Sequence, residues 1–297
     1  MKIAILTQSK AGYENKKLHQ AAKELGHQCT IVNINDVVIE VGGLDKKTEN
    51  GAFVNGENLT SYDLIIFRFI FSAKKRAMAL SKLLRYSGVK VMDNNLEQVG
   101  YNIDKIRDSI LFHVNNIPYP KSINVLDEDD FTDSCNEMGY PVIVKHTGSG
   151  KGQGVYKFDD IGDVEDFIEK IEEKGKKLQT YLIQEFVPYV MDIRVLVISG
   201  NVVGAMQRIP KEGEFKANFS RGGSVKMIEI DDETRELARK AAEVTRATNA
   251  GVDVLVAENG TKYILEVNRT PGFEGFEKAT GMDIATLIIE EAIKNAY

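Results

Sequence analysis

Two alternating apolar segments, Val252-Asp253-Val254-Leu255-Val256-Ala257 and Lys262-Tyr263-Ile264-Leu265-Glu266-Val267-Asn268, flank Asn259-Gly260. Asn-Gly between such runs is the strongest short-range hairpin signal, because both residues of a two-residue type I′ turn need φ > 0. The chain must therefore hold an antiparallel pair here. With Asn259 and Gly260 as the turn, Glu258 pairs with Thr261 and, counting back along both strands, Asp253 lies opposite Glu266. Facing carboxylates repel by up to about 1 kcal/mol when exposed and by more when buried, so something has to neutralise them. Strand alternation puts Asn268 on the face of Glu266. Two carboxylates and an amide, with no histidine or cysteine near, suit Mg²⁺ or Mn²⁺ shared with substrate phosphates rather than zinc. In the competing reading Asp253 and Glu266 face solvent on an amphipathic hairpin, and a one-residue register slip would undo their pairing.

What precedes the hairpin has two grammars. Residues 1–95 alternate short apolar runs (3–6, 31–34, 64–67, 89–92) with helical patterns over 14–25, closed by Gly26, and 72–86. Strands separated by helices predict a small parallel sheet with helices on its faces. From residue 96 the pattern becomes α+β. Helices are expected over 103–114, over 127–138 with Asp127 as N-cap, and over 163–175; strands over 141–145, 155–158 and 181–186. From residue 185 onward a hairpin of 192–198 and 202–208 turns at Ser199-Gly200-Asn201. A helix over 232–248, the Asn-Gly hairpin and a closing helix over 284–295 follow. The expected fold is α/β and α+β in three parts, 1–95, 96–184 and 185–297.

Composition narrows the function classes. The 38 Lys+Arg and 44 Asp+Glu of the 297 residues are interspersed, for a net charge of −6, so nucleic-acid binding is not expected. Its two cysteines, Cys29 and Cys135, show no disulfide or zinc spacing. No signal-peptide pattern and no apolar run of membrane-spanning length is present, so a cytoplasmic protein without membrane contact is expected.

Residues 147–155 read Thr-Gly-Ser-Gly-Lys-Gly-Gln-Gly-Val. Gly152 follows Lys151 where a P-loop needs Ser or Thr, and Gln153 stands where a dinucleotide fingerprint needs its third glycine. A strand, not a helix, comes next. What remains is a glycine loop whose backbone N–H groups fold over phosphates, or else a loose hairpin tip. Lys145, ending an apolar strand beside it, favours the phosphate reading. Arg194, Arg208 and Arg221 follow in or after the next hairpin, where they would offset charge on a transferring phosphoryl group. A three-residue turn puts Asp192 and Arg194 on the face of Arg208, and a two-residue turn does not. The strand end at Gln184-Glu185-Phe186-Val187, just before Pro188, leaves backbone groups suited to a planar base.

In this order the motifs resemble the ATP-grasp superfamily, and most closely its RimK-type ligases, which add glutamate or another amino acid to a carboxylate. The resemblance rests on Asp192-Ile193-Arg194, on Arg208 followed by Lys211-Glu212-Gly213-Glu214-Phe215, on residues 218–223, on Ala250-Gly251-Val252-Asp253, and on Glu266-Val267-Asn268 leading to Pro271-Gly272 and Glu274-Gly275. It implies an ATP-grasp fold, two α+β lobes clamping ATP behind a small parallel-sheet domain. Lys105 and Lys145 would contact phosphates, with the loop holding Gly150, Gly152 and Gly154 closing over them. Glu185 and Val187 would bind the adenine edge, and Asp192 would lie near the ribose. Asp253, Glu266 and Asn268 would hold two Mg²⁺, or Mn²⁺. Arg208, Asn218 and Arg221 would face the γ-phosphate and an acyl phosphate.

The implied reaction has a substrate carboxylate attack the γ-phosphate and an amine then displace phosphate from the acyl phosphate, with ADP released. Glutamate is the first expectation for the amine. A protein C-terminus, a peptide or a small molecule would supply the carboxylate, and a homo-oligomer, dimer or tetramer, is implied. The alternatives are an ATP-grasp phosphotransferase and a nucleotide-binding regulatory protein. Three departures from the family pattern are expected beside the amine or carboxylate substrate. Arg269-Thr270 replaces small residues after the metal-binding asparagine, the segment from Glu185 to Asp192 is short, and Phe67-Arg68 replaces Pro-Arg. Arg269 would bind an acidic side chain or cap a loop.

Overall fold

A computed structural model describes residues 1–42, 51–92, 96, 104–148, 154–210 and 224–295. The first unit runs β1 (Lys2–Thr7), α1 (Tyr13–Glu24), β2 (Gln28–Asn33), β3 (Val38–Glu40), β4 (Gly51–Val54), β5 (Glu57–Asn58), β6 (Leu64–Arg68), α2 (Lys74–Tyr86) and β7 (Lys90–Met92). Its main sheet has the order β2-β1-β6-β7 with every pair parallel, as the alternation of strands and helices predicts. Burial on both faces explains the unbroken apolar runs, with Ile3 to Leu6 at 0% exposure. An additional antiparallel sheet, β3-β4-β5, is not announced by residue patterning, because strands of three, four and two residues are too short to show a period.

The next unit comprises α3 (Lys105–Val114), β8 (Ser122–Ile123), α4 (Glu128–Met138), β9 (Val142–His146), β10 (Val155–Phe158), α5 (Ile161–Glu173) and β11 (Tyr181–Glu185). Its antiparallel sheet, β10-β9-β11-β8, packs on α4 and α5 through a core of its own that includes Phe131, Val144, Phe167 and Tyr181. Asp127 caps α4 as expected, accepting the Asp130 N–H at 2.9 Å. The following helix begins earlier than residue 163 because Asp160 takes the cap, accepting from the Asp163 N–H at 3.2 Å. Asp104 caps α3 through the Ile106 N–H at 2.8 Å.

The last unit holds β12 (Tyr189–Ile198), β13 (Asn201–Ile209), β14 (Ser224–Ile228), α6 (Asp232–Val244), β15 (Asn249–Ala257), β16 (Lys262–Asn268), α7 (Glu274–Thr280) and α8 (Ile284–Asn295). Five antiparallel strands are ordered β14-β13-β12-β15-β16. The helix expected to reach residue 248 stops at Val244, and Arg246 then takes a left-handed φ of 52°. No helix among the described residues is long and apolar enough to cross a membrane.

Both hairpins of this sheet are turned differently from the simplest reading, and in both a bulge restores the alignment. Ser199 and Gly200 have φ of 48° and 82° and form a two-residue turn, with Ile198 opposite Asn201. Val203 is then an extra residue, so Asp192 comes to lie opposite Arg208 even though the turn has two residues. In the Asn-Gly hairpin the expected two-residue turn is corrected to a three-residue loop, 258–260. Ala257 N–H donates to Thr261 O at 2.8 Å, Gly260 N–H to Ala257 O at 2.9 Å, and Gly260 takes a φ of 83°. That loop alone would put Leu265 opposite Asp253. Leu265 instead forms the bulge, and Asp253 pairs with Glu266.

The two faces of β12 divide the labour. Ile193, Val195 and Val197 pack on α6 together with Ala238, Ala241 and Ala242. On the opposite face Leu196 and Ile198, with Met206, join Phe273, Phe276, α8 and the N-terminal strands Ile3, Ile5, Leu64 and Ile66 in one core. The remaining positions of that face, Asp192 and Arg194, lie beyond this apolar seal. Phe276 sits against Gly204, where a Cβ would approach its ring to 3.1 Å. Phe276→Ala is expected to cost about 3–5 kcal/mol. Amide exchange should accelerate in β1, β6 and β12 together while β9 and β11 stay protected; acceleration confined to α7 would contradict a shared core.

Candidate active site

Cross-strand register collects five charged side chains on the open part of the sheet face. Arg194 lies opposite Asp253, Asp253 opposite Glu266, and Asp192 opposite Arg208. Arg194 grips Asp253 bidentately, Nε to Oδ1 at 2.7 Å and Nη2 to Oδ2 at 2.8 Å. Arg208 bridges the two aspartates: Nη1 donates to Asp253 Oδ2 at 2.9 Å, and Nε and Nη2 donate to Asp192 Oδ1 at 3.0 and 2.5 Å. All but Arg194 of these four side chains are about nine-tenths buried or more.

The electrostatics follow from burial and pairing. Burial pushes the Asp253 carboxyl up, but Arg194 and Arg208 outweigh it and hold the group below its ordinary range. Asp192 has burial as its largest influence and shares its one guanidinium, so it lies above its ordinary value. Arg208 is raised because the two aspartates overcome its burial.

Two lysines approach from the preceding unit. Lys105, the first residue of α3, places Nζ 3.6 Å from Glu266 Oε1. Lys145, inside β9, donates to Gln184 Oε1 at 2.5 Å. Burial pushes its ammonium down to about 8, against the pull of Glu266 and in the company of Lys105, Asp253 and Asp192. The Lys105 backbone N–H donates to Thr147 O at 3.3 Å, tying the start of α3 to the start of the glycine-rich segment.

Asp253, Glu266 and Asn268 form an all-oxygen donor set, which fits a hard divalent cation. Asn268 Oδ1 also accepts the Thr270 N–H at 3.1 Å. Among the described residues no group of three His, Cys, Asp or Glu gathers as a metal cluster. A cation here would fill its shell with amide, water and phosphate oxygens, the habit of Mg²⁺.

Of the other expected site residues, Glu185 ends β11, its carboxylate accepting the Lys121 N–H at 2.7 Å. Val187 lies in the link between β11 and β12. Gly154 precedes β10 with φ of 70°, and its carbonyl accepts the His146 N–H at 2.7 Å. Gly150, Gly152, Asn218 and Arg221 lie outside the described residues. Arg194 is expected from the sequence as a cation for the phosphoryl group, but two contacts at the site are not anticipated there. Gln184 is a lone amide in an apolar strand, a visible signal, whereas the clasp of Arg194 on Asp253 depends on β12 pairing with β15, which no local pattern announces.

Two of the three departures lie in the interior: Arg269, and Phe67 with the Arg68 that follows it. Arg269, at 4% exposure, donates to both carboxylate oxygens of Asp108 on α3, at 3.0 and 2.6 Å, and to Thr245 O at 3.4 Å. Of its two readings, a substrate cation and a loop cap, these partners favour an internal tie that holds the loop. Arg68, at 2% exposure, donates to Pro271 O at 2.7 Å and lies over the rings of Phe69 and Phe273, at 4.9 and 5.7 Å.

Comparison with known proteins bears on the family and the fold. A family model described as the RimK PreATP-grasp domain matches residues 1–96, and one described as the RimK-like ATP-grasp domain matches residues 102–292. A protein of Pseudoalteromonas atlantica named probable alpha-L-glutamate ligase 2 is 31% identical over 299 residues, covering 100% of this chain and 96% of its own. A probable alpha-L-glutamate ligase of a Marinomonas species is 31% identical over 300 residues, covering 100% and 97%. Among solved structures, the ATP-grasp ligase PsnB complexed with minimal precursor superposes with a TM-score of 0.75 at 19% identity, over 99% of this chain and 98% of that one. PsnB complexed with minimal precursor, Mg and ADP scores 0.73 at 20% identity, over 98% and 97%. The fold is thus ATP-grasp, preceded by the parallel-sheet domain.

The Arg269–Asp108 pair yields a test. Arg269→Met strands a buried carboxylate and is expected to lower stability by about 3–5 kcal/mol, whereas Arg269→Met combined with Asp108→Leu recovers most of the loss. Denaturant titration of the three proteins measures this; a single variant as stable as wild type would return Arg269 to a substrate role.

Proposed function

The chain belongs to the RimK-like ATP-grasp family of ligases, and on that premise we propose that it forms an amide or peptide bond through an acyl phosphate, releasing ADP and phosphate. The amine is an amino acid, with glutamate first because relatives 31% identical over 96–97% of their length are named probable alpha-L-glutamate ligases. The acceptor is the carboxylate of a protein, peptide or small molecule. One observation carries the reading: cations from three strands and a helix converge on a carboxylate pair, as phosphoryl transfer needs. The four histidines of the chain, His19, His27, His113 and His146, show no spacing for a protein nucleophile and its base.

In this reading Lys105 and Lys145 hold the ATP phosphates, and the link around Val187, with Glu185, borders the adenine. Asp192 holds Arg208 toward the γ-phosphate. Asp253, Glu266 and Asn268 hold two Mg²⁺, or Mn²⁺, which when bound supply charge neutralisation of the phosphates. A carboxylate oxygen attacks the γ-phosphorus in line as the bond to the leaving ADP oxygen breaks, and Arg208 offsets the charge gathering on the transferred group. The amine nitrogen then attacks the acyl carbon, phosphate leaves with the carbon–oxygen bond pair, and the nitrogen gives up its proton. The glycine-rich segment at 148–154 shields the acyl phosphate from water. The divisions at 95/96 and 184/185 belong to the same reading, with a substrate-side domain and two lobes around ATP.

Sustained ADP release, over many turnovers, should require both an amino acid and a carboxylate acceptor. A phosphorylated product accumulating without an amine would instead indicate a phosphotransferase, and no nucleotide turnover with any pair would leave a regulatory protein. In the productive pair Glu266→Gln is expected to lose at least about tenfold in rate, or about 1.4 kcal/mol, with its fold intact.

Lys145 adds a pH dependence. Binding an anion favours its protonated form, so nucleotide affinity should fall as pH climbs above the free-site value of about 8. Equilibrium binding of an ATP analogue between about pH 7.5 and 9.5 should show the decline, and Lys145→Arg should flatten it. A wild-type profile as flat as the variant's would remove Lys145 from the phosphates.

A further inference from the structure

The geometry points to Arg194 as a counter-ion that keeps a lone divalent cation off Asp253, so that the cation enters the site only together with the nucleotide. This rests on the proposed metal role of Asp253. Asp253 Oδ2 accepts from Arg194 Nη2 at 2.8 Å and Arg208 Nη1 at 2.9 Å, and Oδ1 accepts from Arg194 Nε at 2.7 Å. A carboxylate has about four lone-pair positions in all, so three are already taken by guanidinium hydrogens. A cation coordinating this group must share it with Arg194 or displace it.

Arg194 is the partner able to leave. Arg208 is pinned by Asp192 as well and its side chain is 6% exposed, whereas Arg194 hydrogen-bonds only Asp253 among the described residues and its side chain is 19% exposed. The charge balance makes leaving unfavourable without a replacement anion. Among the described residues, Asp192, Asp253 and Glu266 stand against Arg194, Arg208, Lys105 and Lys145, three carboxylates against four cations, a formal +1. A lone divalent cation raises that excess. The same cation carried on a polyphosphate brings negative charge in surplus, and the phosphate oxygens offer the displaced guanidinium a bidentate partner.

Mn²⁺ binding, read by water-proton relaxation enhancement, tests this without turnover. Wild type should bind Mn²⁺ at least about tenfold more tightly with AMPPNP than without nucleotide, as expected when like charges are juxtaposed in the empty-handed site. Arg194→Met and Arg194→Gln, each checked for folding by circular dichroism, should gain at least about tenfold in nucleotide-free Mn²⁺ affinity. Equal wild-type affinity with and without AMPPNP overturns the inference, as do folded neutral variants that bind Mn²⁺ no tighter than wild type. The metal assignment fails separately if Asp253→Asn keeps wild-type Mn²⁺ binding in the presence of AMPPNP.

Discussion

Asp253 is held between two guanidinium groups in the interior of the protein, and the rest of the site is organised by the need to keep it there. A buried carboxylate is costly unless paired and fully hydrogen-bonded. Here Arg194 supplies a two-point contact and Arg208 a third, while Arg208 is itself held by Asp192. None of these residues is near another in sequence except Asp192 and Arg194. They meet because β12 runs between β13 and β15, and because two bulges, at Val203 and Leu265, bring the strands into step. Beyond Arg194 the same face turns apolar, and Leu196 and Ile198 seal it against the N-terminal sheet.

That seal joins the N-terminal parallel sheet to the sheet carrying the carboxylates. One core includes Ile3 and Leu64 from the first unit and Met206, Phe276 and Ile288 from the last. Two arginines then stake the segment that follows Asn268. Arg68 reaches from β6 to Pro271 O, and Arg269 reaches back to Asp108 on α3. The loop beside the proposed cation ligands is thereby fixed from both sides. The β8–β11 sheet has a separate core and approaches the site through the polar side chains of Lys145 and Gln184, whereas α3, which carries Lys105, is anchored in the core of the last unit by Phe112, with Ile117 just beyond it.

Legibility in the sequence followed the range of the interaction. Asp127 as a cap and Gly26 at a helix end were readable because capping involves residues within one turn. The parallel order of the first sheet followed from alternating strand and helix patterns. The β3-β4-β5 sheet was not readable, its strands being shorter than any period. For Arg269 the sequence leaves two readings open, a substrate cation and a loop cap, because its partner, Asp108, lies 161 positions away. The two hairpins show how a local reading reaches the right neighbour by the wrong route. A two-residue turn was read where three residues loop, and the pairing of Asp253 with Glu266 survived only because Leu265 is bulged.

The sequence by itself determined which residues carry side-chain oxygens and which carry charge, their alternation along each strand, and a motif order specific enough to identify an ATP-grasp ligase. These are properties of spacing, which the period of a strand or helix converts directly into faces. Only the tertiary structure decided that Arg194 and Arg208 both close on Asp253, that Arg68 and Arg269 are internal struts, and that Lys145 is buried enough to titrate near 8. Those outcomes depend on strand neighbours and on exclusion of water, and a carboxylate's partner is chosen by whichever cation the assembled sheet brings within hydrogen-bond reach.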